Sequence, residues 1–129
     1  KLSKSSYIRV PQRAEKEGYV GSSIQFSLIC QNKQKVREIL NKCAERGVEI
    51  KWFGSIEPIG FTSTWESWQY LDIAQELPKS RKILDYLCDF RIPLTFTLED
   101  CKTIAEIILQ VSSEVFGQKV EKNSQQKRR

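Results

Sequence analysis

A strand–helix–strand pattern between residues 24 and 53 constrains the fold of this chain more than any other feature. The run IQFSLIC, residues 24–30, is apolar on at least one face, as expected of a buried strand. Asn32 is a suitable helix N-cap, and Gly47 is a suitable left-handed residue after a helix. Between them, apolar residues recur at helical spacing: Val36, Ile39, Leu40, Cys43 and Ala44. The pattern predicts a β-α-β unit that ends in a second strand, residues 48–53.

Further elements are predicted on both sides of this unit. Residues 7–10, YIRV, alternate apolar and polar side chains and predict a short extended segment. Pro78 suits the first turn of a helix, whose apolar face we assign to Ile83, Leu84 and Leu87. Residues 90–94, FRIPL, read as a short strand, in which Pro93 requires an edge or a strand end.

A final helix is predicted from residue 98 to about residue 116, with Gly117 stopping it. Thr97 and Asp100 have the spacing of a capping box at its start. Its apolar stripe is predicted to consist of Leu98, Cys101, Ile104, Ala105, Ile108, Val111 and Val115.

These elements together predict one domain of the α/β (α+β) class. We expect a two-layer sandwich, in which a small, mostly antiparallel sheet of about three or four strands carries helices on one face. The chain divides into an extended lead-in at 1–21, the domain at 22–117 and a basic disordered tail at 118–129. The 129 residues suffice for a core without a disulfide or metal.

A loop rich in aromatic residues follows the second predicted strand. Trp52 and Phe53 end that strand, and Phe61, Trp65 and Trp68 follow within the next stretch. Large aromatic side chains on a loop need a cover, which is the domain's own core, a partner surface or a ligand. Loops held by a rigid strand often carry binding sites. The candidates for such a site are Trp52, Phe53, Ser63, Trp65 and Trp68.

The composition excludes several kinds of chemistry. The chain has no histidine, so Ser-His and Cys-His nucleophile pairs cannot form within it. Its four cysteines form no CxxC pair, so the usual zinc-site spacings are absent and we predict no metal site. We interpret them as reduced cysteines of a cytoplasmic protein. No glycine-rich phosphate loop and no catalytic residue is identified.

The ends of the chain carry the positive charge. The net charge is +5, and basic residues outnumber acidic ones before residue 17 and after residue 117. Such ends are typical of solvated tails rather than of a nucleic-acid surface, and we predict no nucleic-acid partner. No apolar run is long enough for a membrane span. The chain lacks methionine altogether, and we expect it to be a processed or cut piece of a longer polypeptide.

Four segments, IQFSL, ERGVEIKWF, ELPKSRKIL and FRIPLTFTLEDCKTIAEII, occur in an order and spacing that resemble a known domain. Residues 22–115 resemble the C-terminal small domain of the DegT/StrS-type aminotransferases, which mostly act on nucleotide-linked keto-sugars. Two departures indicate a divergent subgroup: KWFG at residues 51–54 replaces the family's His-Tyr-Pro, and Thr95-Phe96 replaces its His-Pro.

The resemblance implies a parent enzyme that depends on pyridoxal 5′-phosphate and usually forms a homodimer. The lysine that binds this cofactor would belong to a large domain of the same polypeptide, so this chain alone would be inactive and bind no cofactor. The small domain would close over the active site, with Trp52 and Phe53 facing the sugar substrate. Ser63, Trp65 and Trp68 are further candidates. An exposed apolar surface is expected where the large domain docks.

Other functions are compatible with the residues. The main alternative is a stand-alone α/β module, ferredoxin-like in style, that binds a ligand or protein through the aromatic loop. An RNA-binding domain is a third hypothesis, but the chain lacks an RNP-like or GXXG signature.

Overall fold

A computed structural model describes residues 1–12, 23–30, 32–57 and 76–117, and all structural statements refer to these residues. A short 3-10 turn, Leu2–Lys4, comes first. The strands are β1 (Ile8–Arg9), β2 (Ser23–Leu28), β3 (Lys51–Trp52) and β4 (Leu87–Arg91). The helices are α1 (Lys33–Glu45), α2 (Pro78–Leu84) and α3 (Leu98–Gly117). The predicted tail at 118–129 and most of the aromatic loop lie outside the described residues.

The four described strands form one sheet in the order β1-β2-β4-β3, and every neighbouring pair is antiparallel. Strands β2 and β3 therefore run parallel to each other, with β4 inserted between them. This split arrangement keeps the predicted β-α-β unit but separates its two strands by one strand that comes later in the chain. The fold is mixed α/β with an antiparallel sheet, as the coarse prediction stated.

Alternation along the strands gives the sheet one apolar face. Phe26 lies opposite Cys88, which in turn lies opposite Trp52, so these three side chains share a face. Helices α1 and α3 pack together on this face. The buried core consists of Ile8, Phe26, Leu28, Val36, Ile39, Cys43, Val48, Trp52, Cys88, Ile108, Val111 and Val115.

The local signals at the helix ends are confirmed. Asn32 caps α1 by accepting a hydrogen bond from the Gln34 N–H at 2.9 Å. Gly47 has a φ of 80°, the left-handed conformation that glycine adopts without a steric penalty. Thr97 and Asp100 form the predicted capping box, with the Thr97 N–H donating to Asp100 Oδ2 at 2.8 Å and the Asp100 N–H donating to Thr97 Oγ1 at 3.2 Å. Pro78 lies in the first turn of α2.

Several predicted positions are wrong. Strand β4 covers residues 87–91 rather than 90–94, so Leu87 belongs to a strand and not to a helix face, and Pro93 lies beyond the strand. Ala44 is exposed although it was assigned to the apolar stripe of α1, whose buried residues are Val36, Ile39 and Cys43. Leu98, the first residue of α3, is also exposed, whereas the buried residues of this helix begin at Ile108.

The first twelve residues pack on the domain. Strand β1 pairs with β2, and the rings of Tyr7 and Phe116 stack with centroids 4.8 Å apart. Lys1 also forms an ion pair with Glu106. The start of the chain therefore supplies the edge strand of the sheet and contacts along α3.

Candidate functional site

Two of the five candidate residues lie in the described part of the chain. Trp52 is the last residue of β3, and Phe53 follows it directly. Ser63, Trp65 and Trp68 lie outside the described residues, so their roles remain predictions. The geometry of the site is therefore built around the end of β3.

The indole of Trp52 belongs to the core. The side chain is 5% exposed, and its Nε1–H donates a hydrogen bond to the backbone oxygen of Asp85 at 2.9 Å. Buried tryptophan needs such a partner for its ring N–H. Packing accounts for the burial of Trp52, and its proposed contact with a substrate stays a prediction.

Gly54 brings the chain after β3 against the turn before β4. A Cβ atom placed on Gly54 would lie 2.2 Å from the Asp85 oxygen and 2.6 Å from both its carbonyl carbon and its Cα. Only glycine fits such a close backbone approach. The Phe53 N–H also donates to the Leu87 oxygen at 3.0 Å. Residues 52–54 are thus fixed to the start of β4 by backbone contacts.

An ion pair joins the same turn to the start of α1. Lys33 Nζ lies 2.8 Å from Asp85 Oδ1, and both side chains are partly exposed. This pair and the Trp52 hydrogen bond both involve Asp85, one through its carboxylate and the other through its backbone oxygen. We define the junction corner as Lys33, Trp52, Phe53, Gly54 and Asp85.

Phe53 has a different setting from Trp52. Side chains alternate along a strand, so Phe53 extends toward the face opposite the core, on the same side as Lys51. The ammonium of Lys51 lies over the Phe53 ring, 5.5 Å from its centroid. Phe53 is partly buried. It is the candidate residue that combines an aromatic surface with a fixed backbone on the side away from the helices.

Titratable groups beside the junction corner are held in their neutral forms. Burial is the main factor that raises the pKa of Tyr86, and ionisation beside Cys30 and the Asp85 carboxylate raises it further, against the opposing charge of Lys33. Burial also raises the pKa of Cys30, against the opposing effect of Lys35. Neither group is thereby activated as a nucleophile, because activation requires a lowered pKa.

A second feature, missed by the sequence analysis, lies at the other end of β4. Leu94, Phe96 and Leu98 are 102%, 38% and 83% exposed. Leu94 and Phe96 belong to a turn that the Phe96 N–H closes by donating to the Pro93 oxygen at 3.0 Å, and Leu98 is the first residue of α3. Of these three residues, the sequence analysis assigned only Leu98 to an apolar helix stripe, and that assignment is wrong.

No group of acidic, cysteine or histidine side chains in the described residues is arranged to hold a metal ion. All four cysteines, which the structure does describe, are free thiols. Within the same residues, no helix combines the length and the apolar character needed to cross a membrane.

Comparisons of the chain with protein-family models, with curated proteins and with solved structures find no significant match.

Proposed function

We propose that this chain is the C-terminal small domain of a pyridoxal-phosphate-dependent aminotransferase that acts on keto-sugars, mostly nucleotide-linked ones. The observation that carries the proposal is the fixed position of Phe53, which occupies the place of the aromatic loop in the resemblance. Its N–H is bonded to Leu87, and the next residue, Gly54, is in close contact with Asp85. An aromatic residue whose backbone is held in this way can form part of a substrate wall at a reduced entropic cost on binding.

In this proposal Phe53 contacts the sugar or base, and Trp52 supports it from the core. Stacking of a base on an aromatic side chain contributes roughly 1–3 kcal/mol, which sets the scale of the expected effect. The parent enzyme is proposed to be a cytoplasmic homodimer, and the four free thiols support a reducing compartment.

The cofactor is assigned to the large domain. A lysine that forms a Schiff base is usually desolvated by burial. None of the lysines in the described residues is buried, so this part of the chain offers no fitting position for the cofactor's imine. The chain's own contribution is to line and close the substrate cavity.

A stand-alone binding module is the second candidate, and the split sheet favours it. Strand β4 lies between the parallel strands β2 and β3, although a long segment separates it from β3 in the chain. Helix α3 and strand β1 then complete a two-layer domain. In this candidate the domain folds on its own, and its ligand binds beside Phe53.

Intact mass and N-terminal sequencing of the native polypeptide separate the two candidates. The aminotransferase proposal expects a polypeptide much longer than 15.0 kDa, with a yellow cofactor that borohydride traps on a lysine upstream of Lys1. A native chain of 15.0 kDa without cofactor would exclude the aminotransferase and leave the binding module.

If the polypeptide is longer, Phe53→Ala in that enzyme tests the site. Loss of stacking worth roughly 1–3 kcal/mol should lower kcat/KM by roughly 5- to 150-fold. Ile83→Ala, at an exposed position of α2, is the control and should leave kcat/KM unchanged. Equal activity of the two variants would remove Phe53 from the substrate wall.

A further inference from the structure

An apolar cavity of about 30 Å³ lies between the first turn of the chain and the core of the domain. Leu2, in that first turn, is one of its lining residues. Leu2 is partly exposed, whereas Phe26 and Ile108 on the core side are each 1% exposed, so Leu2 lies on the solvent side of the cavity. The other lining residues come from β2, from β4 and its end, and from α3; they include Ile24, Phe26, Phe90, Ile92, Ile104 and Ile108.

The turn that carries Leu2 is held mainly by local and exposed contacts. The Lys4 N–H donates to the Lys1 oxygen at 3.0 Å, and the Ser5 N–H donates to the Leu2 oxygen at 3.1 Å. Lys1 forms an ion pair with Glu106 of α3, and both side chains are largely exposed. Exposed ion pairs contribute little to stability, and segments with few buried contacts open locally at a low free energy. The Leu2 turn is therefore the wall of the cavity that can move most easily.

Outward movement of Leu2 enlarges the cavity to the size of a small ligand. The closed cavity, at about 30 Å³, is too small for one. Its opening adds the space of the four side-chain carbon atoms of Leu2, on the order of 100 Å³ if each takes the roughly 30 Å³ of a water molecule. An apolar cavity of roughly 150 Å³ stays dry and binds benzene. The opened cavity is comparable in size.

The lining selects a neutral, apolar ligand. The described lining residues are uncharged and apolar, and Cys101 among them contributes a thiol that packs as a small hydrophobe. A charged or strongly polar ligand would lose its hydration in the cavity without gaining hydrogen-bond partners.

We propose that this cavity is a binding site for a small neutral apolar molecule, and that the Leu2 turn is its lid. The closed form is the one described above. The open form is a minor state that the ligand makes dominant by binding to it alone. The lid and the lining residues all belong to this chain, so the site is independent of the proposed aminotransferase activity.

Methyl NMR with benzene as the probe tests the proposal on the 129-residue chain. The ring current of bound benzene should shift the methyl signals of the isoleucines that line the cavity: Ile24, Ile92, Ile104 and Ile108. Ile56 and Ile83, which are 73% and 61% exposed, are the matched controls and should not shift. If the four cavity isoleucines do not shift up to the solubility limit of benzene, the proposal is overturned.

Variants of the lid predict the order of the affinities. Leu2→Ala removes the lid, so benzene should bind roughly 10- to 1000-fold more tightly than to the original chain, because a minor open state holds about 0.1–10% of the molecules. Glu106→Gln removes the ion pair with Lys1 and should tighten binding by up to about fivefold. Glu99→Gln removes the other exposed ion pair described on α3, with Lys102, and should leave the affinity unchanged.

A further variant tests the position of the ligand. Ala105→Leu fills the cavity from α3 and should abolish binding to the original chain and to Leu2→Ala. Binding that persists with Ala105→Leu would place benzene elsewhere and overturn the site. Equal affinities of Leu2→Ala and the original chain would show that Leu2 is not a lid. Glu106→Gln alters only an exposed pair, so its affinity decides the role of the lid if Leu2→Ala does not fold.

Discussion

The two ends of strand β4 differ in the contacts that their residues make. At its start, polar and backbone contacts join three segments: Lys33 and Trp52 both bind Asp85, and Gly54 lies against the Asp85 backbone. At its end, Leu94 and Leu98 make the surface apolar, and they are largely exposed. The start is satisfied within the chain, whereas the apolar side chains beyond the end are exposed. A strand in the interior of the sheet thus links a corner held by internal contacts to a segment with exposed apolar side chains.

Gly54→Ala should have the largest effect on stability, because it tests the most crowded contact at the junction corner. The new methyl group would be placed 2.2 Å from the Asp85 oxygen, and the backbone would have to move. We expect a loss of about 3 kcal/mol in the free energy of unfolding, the upper end of the usual cost of overpacking. Urea unfolding followed by tryptophan fluorescence measures it.

Gly117→Ala is the matched control, because a Cβ at Gly117 meets no atom within 4 Å. Its effect should stay within about 0.5 kcal/mol, as for most surface changes. If the two variants unfold at the same urea concentration, the close approach of Gly54 to Asp85 is not a feature of the protein.

Trp52→Phe should have the next largest effect. It keeps an aromatic ring in the core but removes the Nε1–H that donates to the Asp85 oxygen. A buried acceptor without its donor costs about 1–3 kcal/mol, and we expect a value in that range from urea unfolding. Phe53→Leu, on the opposite side of the strand, is the control and should cost less. A larger loss for Phe53→Leu would mean that Phe53, and not Trp52, is the aromatic residue that stabilises the core.

The sequence correctly predicted the structure that follows the C-terminal end of β4, because the signal there is local. The capping box is a four-residue pattern, so Thr97 and Asp100 could be paired without knowledge of the fold. The contacts of the junction corner could not be predicted. Gly54 and Asp85 are far apart in the chain, and no local sequence pattern around either residue indicates that they meet. The start of β4 was misplaced for a related reason, since Leu87 follows α2 with no glycine or proline between them. Burial of Leu98 was wrongly predicted, because the apolar character of a residue does not show whether the rest of the same chain buries it.

A change in the capping box should have a smaller effect on stability, and this effect should depend on pH. Hydrogen bonds from the Thr97 N–H and hydroxyl hold the pKa of Asp100 below its ordinary value of 3.8. The lowered pKa in the folded state stabilises the protein above the ordinary pKa, and this contribution is lost as the pH falls through the lowered pKa. Asp100→Asn should therefore lower stability at neutral pH and converge with the original protein in acid.

Thermal unfolding between neutral pH and about pH 2 measures this difference. Thr97→Ser keeps both the N–H and a hydroxyl, so it should retain the original pH dependence. If the difference in thermal stability between Asp100→Asn and the original protein is the same at every pH in this range, the capping box does not lower the pKa of the Asp100 carboxyl.

Leu94→Ser together with Leu98→Ser should have the smallest effect, and this result would sharpen the contrast between the two ends of β4. Both side chains are exposed in the chain, so their removal should change the free energy of unfolding by no more than about 0.5 kcal/mol. Leu28→Ala, in the buried part of β2, should cost about 2–5 kcal/mol in the same assay. A loss in the double variant that approaches that of Leu28→Ala would place Leu94 and Leu98 in the core. The end of β4 would then be as self-contained as its start, with no apolar surface left for a partner.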